Sequence, residues 1–165
     1  MLSALKRDES GQAPILEAAV VLLAVFAIAL PLYEFGRMAN DGVLAASAAE
    51  DAATAAAADP GMTKSEVEEL VRAGYAGIAG AASVEVSTSA PKQESYEHKL
   101  NVEGGGHVAR PSKVTWREVE VRVTVSRDFA TAAGAFLGAA TGASGYEVSG
   151  ASTAVIDQTI SSGAW

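Results

Sequence analysis

The sequence predicts an α+β fold: a long N-terminal helix, a second amphipathic helix, and a small antiparallel sheet of about four strands with the helices on one face. Three patterns carry this expectation. Residues 13–33 form an apolar run whose only charge is Glu17. Val67, Leu70, Val71, Tyr75 and Ile78 recur at three- and four-residue steps, the period of a helix face. Residues 114–126 alternate, with Val119, Val121, Val123 and Val125 on one side and Glu118, Glu120, Arg122 and Thr124 on the other. That alternation belongs to an antiparallel sheet with one solvated face.

Composition narrows the function classes. The 165 residues suffice for one modest domain plus an extra segment. Hydrophobic residues make up 49% but aromatics only 6%, so alanine supplies much of the apolar fraction and the core is small. Twenty acidic residues against twelve Lys and Arg leave a net charge of −8. Nucleic acid is therefore not an expected partner, because its binders need a basic face to displace counterions. The absence of cysteine excludes disulfides, thiolate zinc sites, Fe–S clusters and thiol nucleophiles.

The first helix has the length and flanks of a membrane span. Its apolar stretch is about 20 residues, the length that crosses a bilayer as a helix. Lys6 and Arg7 precede it, and beyond Arg37 the next basic residue is Lys64. The positive-inside bias then puts the N-terminus in the cytoplasm and residues 38–165 outside, on the cytoplasmic membrane's far side. A cleaved secretory signal has a shorter core, about 7–15 residues. Glu17 does not suit a plain anchor, since a carboxylate in a bilayer helix costs a few kcal/mol unless paired or close to the headgroups. Both solutions are open at this point. Pro31 removes a helical hydrogen bond to Ala27 and is expected to kink the helix. After Arg37 the chain stays alanine-rich, with Gly42 a point where it could bend; a continuous helix over residues 14–58 would measure roughly 65 Å.

Asp59-Pro60-Gly61 stops that helix, and Thr63 with Glu66 forms a capping box for the second, expected to reach about Gly80. Alternation then begins at Ala81, with Val84 and Val86 on one face. Residues 90–96 read as a polar loop, and Leu100 and Val102 as a short strand ended by Gly104-Gly105-Gly106. After the strand at 114–126, residues 130–140 read as a short helix or packed loop, and residues 146–156 as the last strand. The expected organisation is a leader (1–11), a transmembrane and assembly helix (12–37), an alanine-rich helical extension (38–59) and an extracytoplasmic α+β domain (60–165).

No catalytic constellation is visible. His98 and His107 read as exposed loop histidines without further ligands at metal-site spacing. Gly104-Gly105-Gly106-His107 lacks the GK[ST] of a phosphate loop, and no serine sits in GxSxG. Glu66, Glu68 and Glu69 read as a solvated helix face, with Glu68 and Arg72 at i,i+4. Tyr96 and Trp116 are candidates for contact surface. The expectation is a protein that is not an enzyme, with no metal and no cofactor.

Gly11-Gln12-Ala13-Pro14-Ile15-Leu16-Glu17, behind a short charged leader and ahead of an apolar helix, resembles the class III signal of the type IV pilin superfamily. Its continuation through Ala18-Ala19-Val20-Val21-Leu22-Leu23 to Pro31-Leu32-Tyr33-Glu34-Phe35-Gly36-Arg37 is similar to the TadE-like pseudopilins of the tight-adherence (Flp) pilus system. The resemblance is strongest over residues 6–37. It implies a pilin-like fold and cleavage by a membrane-embedded prepilin peptidase after Gly11 or Gln12, so that Gln12 or Ala13 carries the new amine. It also implies that Glu17 neutralises such an amine on its own or a neighbouring subunit, and that Glu34, Phe35, Gly36 and Arg37 close the helix. The implied partners are the lipid bilayer, other pilin or pseudopilin subunits and the pilus assembly platform. In pilins the glutamate is usually fifth in the mature chain; cutting after Gly11 makes Glu17 sixth, and cutting after Gln12 makes it fifth without a glycine before the cut. Removing the leader takes away Lys6, Arg7, Asp8 and Glu9, which sum to zero and leave the product near −8. The alternative is a single-pass anchored protein, never processed, with an extracytoplasmic binding domain.

Overall fold

A computed structural model describes the backbone of residues 2–102 and 104–162, and side chains from residue 14 to 161 except 98, 100–103, 107, 108 and 110. The fold is α+β. In order it contains α1 (Leu2–Ala58), α2 (Lys64–Gly74), β1 (Ala82–Thr88), β2 (Lys92–Val102), β3 (Gly106–Asp128), α3 (Ala132–Thr141) and β4 (Gly145–Ser162). The chain divides into two compact units, Met1–Asn40 with Arg127–Tyr146, and Asp41–Ser126 with Glu147–Trp165.

The second unit holds the sheet and the core. On α1, Ala45, Ala48, Ala49, Ala52, Ala53 and Ala56 are buried at three- and four-residue steps. They meet Val67 and Val71 of α2, Ile78, Val84 of β1, and Val119, Val121, Val123 and Val125 of β3. The valines share one sheet face because strand side chains alternate. Glu85, Arg122 and Ser83 of the other face stay exposed. Small side chains on the helix let the strand backbone come close. A Cβ on Gly150 of β4 would stand 2.6 Å from the carbonyl carbon of Ala45. The alanine richness of residues 45–56 is thus a packing surface, and Gly42 neither ends nor interrupts the helix.

Asp59 ends α1 through an Asx turn, its Oδ1 accepting the Gly61 N–H at 3.1 Å, and Pro60 disfavours helix at the residue before it. The capping box at α2 is complete: the Glu66 N–H donates to Thr63 Oγ1 (3.4 Å), and the Thr63 N–H donates to Glu66 Oε2 (2.7 Å). That helix stops at Gly74, short of the expected Gly80. Tyr75 leaves helical geometry (φ −125°, ψ 59°), and residues 75–81 continue as successive turns that still bury Ile78. Three glycines in seven positions (Gly74, Gly77, Gly80) weaken any further helix. The Tyr75 hydroxyl donates to Asp51 Oδ2 at 2.5 Å and fastens this end of α2 to α1.

The sheet departs most from expectation at residues 90–96, where β2 replaces the loop. β1 pairs antiparallel with β3 from Ala82↔Val125 to Thr88↔Val119, and β2 pairs with the same strand from Lys92↔Trp116 to Val102↔Gly106. Three residues, Ser89, Ala90 and Pro91, therefore oppose two, Glu118 and Arg117. This is a β-bulge, closed by the Ser89 N–H on the Glu118 carbonyl (2.8 Å) and the Glu118 N–H on Ser89 Oγ (3.0 Å). Proline, with no ladder donor, is tolerated at such a break. β1 and β2 thus run end to end along β3, and β4 pairs with β3 as well. Arg117 bonds Asp157, and Lys113 accepts from Ser161, so residue numbers on β4 rise as those on β3 fall. Gly104 and Gly105, at φ +117° and +90°, supply the turn between β2 and β3.

Candidate functional site: the apolar half of α1 and its Glu34 anchor

Residues 14–29 of α1 are exposed on every face. Ile15 is 72% exposed, Leu23 68% and Ile28 65%, although nothing in a soluble protein favours leaving a helix apolar all round in water. The helix is long and apolar enough to cross a membrane, which makes it compatible with contact to a lipid bilayer. Glu17 lies exposed in this stretch and, among the described residues, has no ion-pair partner. Gly11, Gln12 and Ala13 lie on the α1 backbone, and their side chains fall outside the described residues. The helix passes through Pro14 and Pro31. It also passes through Glu34-Phe35-Gly36-Arg37 without closing there, because the alanine face beyond Asp41 is buried and extends it to Ala58.

The structure draws two of those four residues together. Glu34 is 1% exposed. Its Oε1 accepts the backbone N–H of Ala130 (2.8 Å) and of Thr131 (2.6 Å), at the N-terminus of α3. Its Oε2 accepts from Arg37 Nη1 at 3.3 Å. A carboxylate suits this place, since helix N-termini offer unpaired N–H groups and a positive dipole end. Arg37 in turn lies 5.9 Å from the ring centroid of Tyr146, whose ring is 6.2 Å from that of Phe129. Thr131 caps α3 by accepting the Gly134 N–H at 3.1 Å. Gly134 is required by this packing: a Cβ there would stand 2.7 Å from Phe129 Cβ and 2.9 Å from Glu34 Oε1. Phe35 stays 56% exposed, and a Cβ on Gly36 would meet nothing within 4 Å.

The local pattern puts Glu34 at a helix end and carries no link to residues 130 and 131, about a hundred positions away. A signal for half of the contact was present: Thr131, with Gly134 three residues on, ahead of an apolar stretch, has the form of an N-cap. The carboxylate that completes it is non-local.

Glu68 lies 3.8 Å from Lys64 and 3.7 Å from Arg72, and both pairs are solvated. Trp116 lines an open groove of about 330 Å³ with Glu94, Val114, Val155 and Gln158. The Lys92 ammonium, at 2.5 Å, and the Trp116 N–H, at 2.9 Å, hold the Glu118 carboxyl below the usual carboxylate range. His98 and His107 have their backbones in β2 and β3 rather than in loops, because the long hairpin reaches them; their side chains lie outside the described residues. No group of three or more His, Asp or Glu that could hold a metal occurs among the described residues. No protein family, curated protein or solved structure matches the chain.

Proposed function

We propose that this chain is a structural subunit, a minor pilin or pseudopilin, which packs through its N-terminal apolar helix into a Tad-type pilus or secretion apparatus after prepilin-peptidase cleavage. The observation that carries this reading is the bare helix of residues 14–29, apolar on every side and interrupted only by Glu17. Such a surface needs lipid or other apolar helices around it. The pilin-like residues 11–17 favour a helix that exchanges one for the other. In this reading the chain enters the cytoplasmic membrane with its N-terminus inside, loses residues 1–11 or 1–12, and is taken up by the assembly platform. Glu17 offsets the charge of the newly exposed amine of its own or a neighbouring subunit, in surroundings where low dielectric strengthens the attraction.

The test is the intact mass and N-terminal sequence of the protein made together with a prepilin peptidase of a Tad system, and with an inactive form of that peptidase. A chain beginning at Gln12 or Ala13 only with the active peptidase is the expected result, and its start decides the register of Glu17. A chain that keeps residues 1–11 in both would overturn processing and leave an anchored extracytoplasmic binding protein.

A further inference from the structure

We infer that α3 is a membrane-surface element: it lies in the outer headgroup layer of the bilayer that α1 crosses, with Phe136 and Leu137 inserted among the lipids. The inference rests on the reading of α1 as a membrane span and adds a second lipid contact to it. α3, with the sequence Ala-Ala-Gly-Ala-Phe-Leu-Gly-Ala-Ala-Thr, contains no charged residue. Phe136 is 74% exposed, so the largest apolar side chain of this helix is not used in its packing, and Leu137 beside it is 36% exposed. Gly134 and Gly138 are the buried positions: a Cβ on Gly134 would collide with the Phe129 side chain, and one on Gly138 with the Ala143 carbonyl oxygen, so the glycine face is turned inward.

The place of α3 along α1 identifies what covers Phe136. The two hydrogen bonds from Ala130 and Thr131 to Glu34 fix the N-terminus of α3 one residue beyond Tyr33, where the apolar run ends. From Ile15 to Tyr33 the helix rises roughly 27 Å at about 1.5 Å per residue, close to the thickness of a hydrocarbon core. At that level stand the exposed rings of Tyr33 (57%) and Phe35 (56%), and Arg37, which packs over the buried ring of Tyr146. Aromatic rings grouped with a cationic side chain at the end of an apolar helix are the composition of a membrane interface. Phe136 adds a further exposed ring on an uncharged helix that starts from this level. Lipid is therefore its occupant. The Glu34 anchor also explains how so short an apolar helix keeps its N-terminal donors paired next to a bilayer, where unsatisfied backbone groups are costly.

The chain has no cysteine, so a single introduced cysteine reports one position. Full-length protein is placed one chain per nanodisc, in phosphatidylcholine with a minority of phosphatidylglycerol. An environment-sensitive dye is attached at F136C, at V25C in the middle of the span, or at S95C on the sheet. Expected are a blue-shifted F136C signal, quenched most by lipids with a shallow spin label and protected from aqueous iodide, and a V25C signal quenched most by deep labels. S95C should respond to iodide alone. If V25C is quenched by deep lipid labels while F136C responds only to iodide, the span stands and the surface role of α3 is wrong. If V25C is not lipid-quenched, both readings fall. If F136C becomes protected only when several chains share a disc, its occupant is a second copy rather than lipid, and the inference is overturned.

Discussion

Gly150 of β4 lies backbone to backbone against Ala46 of α1: a Cβ on Gly150 would overlap the Cα and amide nitrogen of Ala46. Both partners are main-chain atoms, so no side-chain rotation relieves the overlap. Overpacking of this kind typically costs about 1–3 kcal/mol, and Gly150→Ala is expected at or beyond the upper end. Gly42→Ala provides the contrast. A Cβ there meets nothing within 4 Å, and the position is inside a helix, so alanine is expected to stabilise by up to about 1 kcal/mol. Urea midpoints of the two variants in detergent should move in opposite directions; a Gly150→Ala midpoint equal to the parent's would refute the close approach.

The capping box predicts a pH dependence. The Thr63 N–H, and then its hydroxyl, hold the Glu66 carboxyl below its ordinary 4.5. A carboxylate whose pKa is lower in the folded state than in the unfolded one adds stability above the unfolded value. That contribution disappears as pH falls through the folded value, here below 4.5. Glu66→Gln should therefore be less stable than the parent at pH near neutrality and converge with it in acid. Denaturant midpoints of both proteins over a descending pH series measure this, and a gap that stays constant into acid would contradict it. Thr63→Ala removes the cap itself and also the hydroxyl that helps hold Glu66 down, so it should cost about 1 kcal/mol near neutrality and less in acid.

Much of this architecture is legible in the residues, and what escapes has a physical cause. The valines at 119–125 and the Thr63–Glu66 box announce a strand and a helix start because their signals are local. β2 escapes because Lys92-Gln93-Glu94-Ser95 has a loop's composition and becomes a strand only by pairing with β3. The bulge at Ala90 and Pro91 hides that β1 and β2 form one continuous edge. At the candidate site, the bare apolar helix is visible in the sequence because lipid-length runs are rare. The tie from Glu34 to Ala130 and Thr131 is not, since no local pattern says which helix terminus a distant carboxylate will meet.

That tie makes its own prediction. Glu34→Ala leaves two backbone donors and Arg37 without their acceptor, and an unsatisfied buried donor costs about 1–3 kcal/mol. The penalty should appear as local opening of α3 rather than global unfolding, because the valine core belongs to other contacts. Amide hydrogen exchange at Ala130 and Thr131 should speed up strongly in Glu34→Ala. Glu34→Gln keeps a carbonyl oxygen for these donors and should retain most of the protection. Equal exchange in parent and alanine variant would show that Glu34 does not hold the helix.

Glu17 separates a subunit that assembles from a protein that is only anchored. A leucine at this position removes the one charge in residues 13–33, so Glu17→Leu should insert into membranes at least as well as the parent. If the carboxylate pairs with a subunit's new amine, the same change should reduce co-purification with a Tad assembly platform and its pilin subunits. Glu17→Gln discriminates further. It restores polarity without charge, and a requirement for charge neutralisation leaves it as defective as leucine, whereas a requirement for mere headgroup proximity lets it recover. Membrane fractionation, N-terminal sequencing and co-purification of the three variants give the readouts. Normal assembly of the leucine variant would mean that the carboxylate is solvated at the interface and has no pairing role.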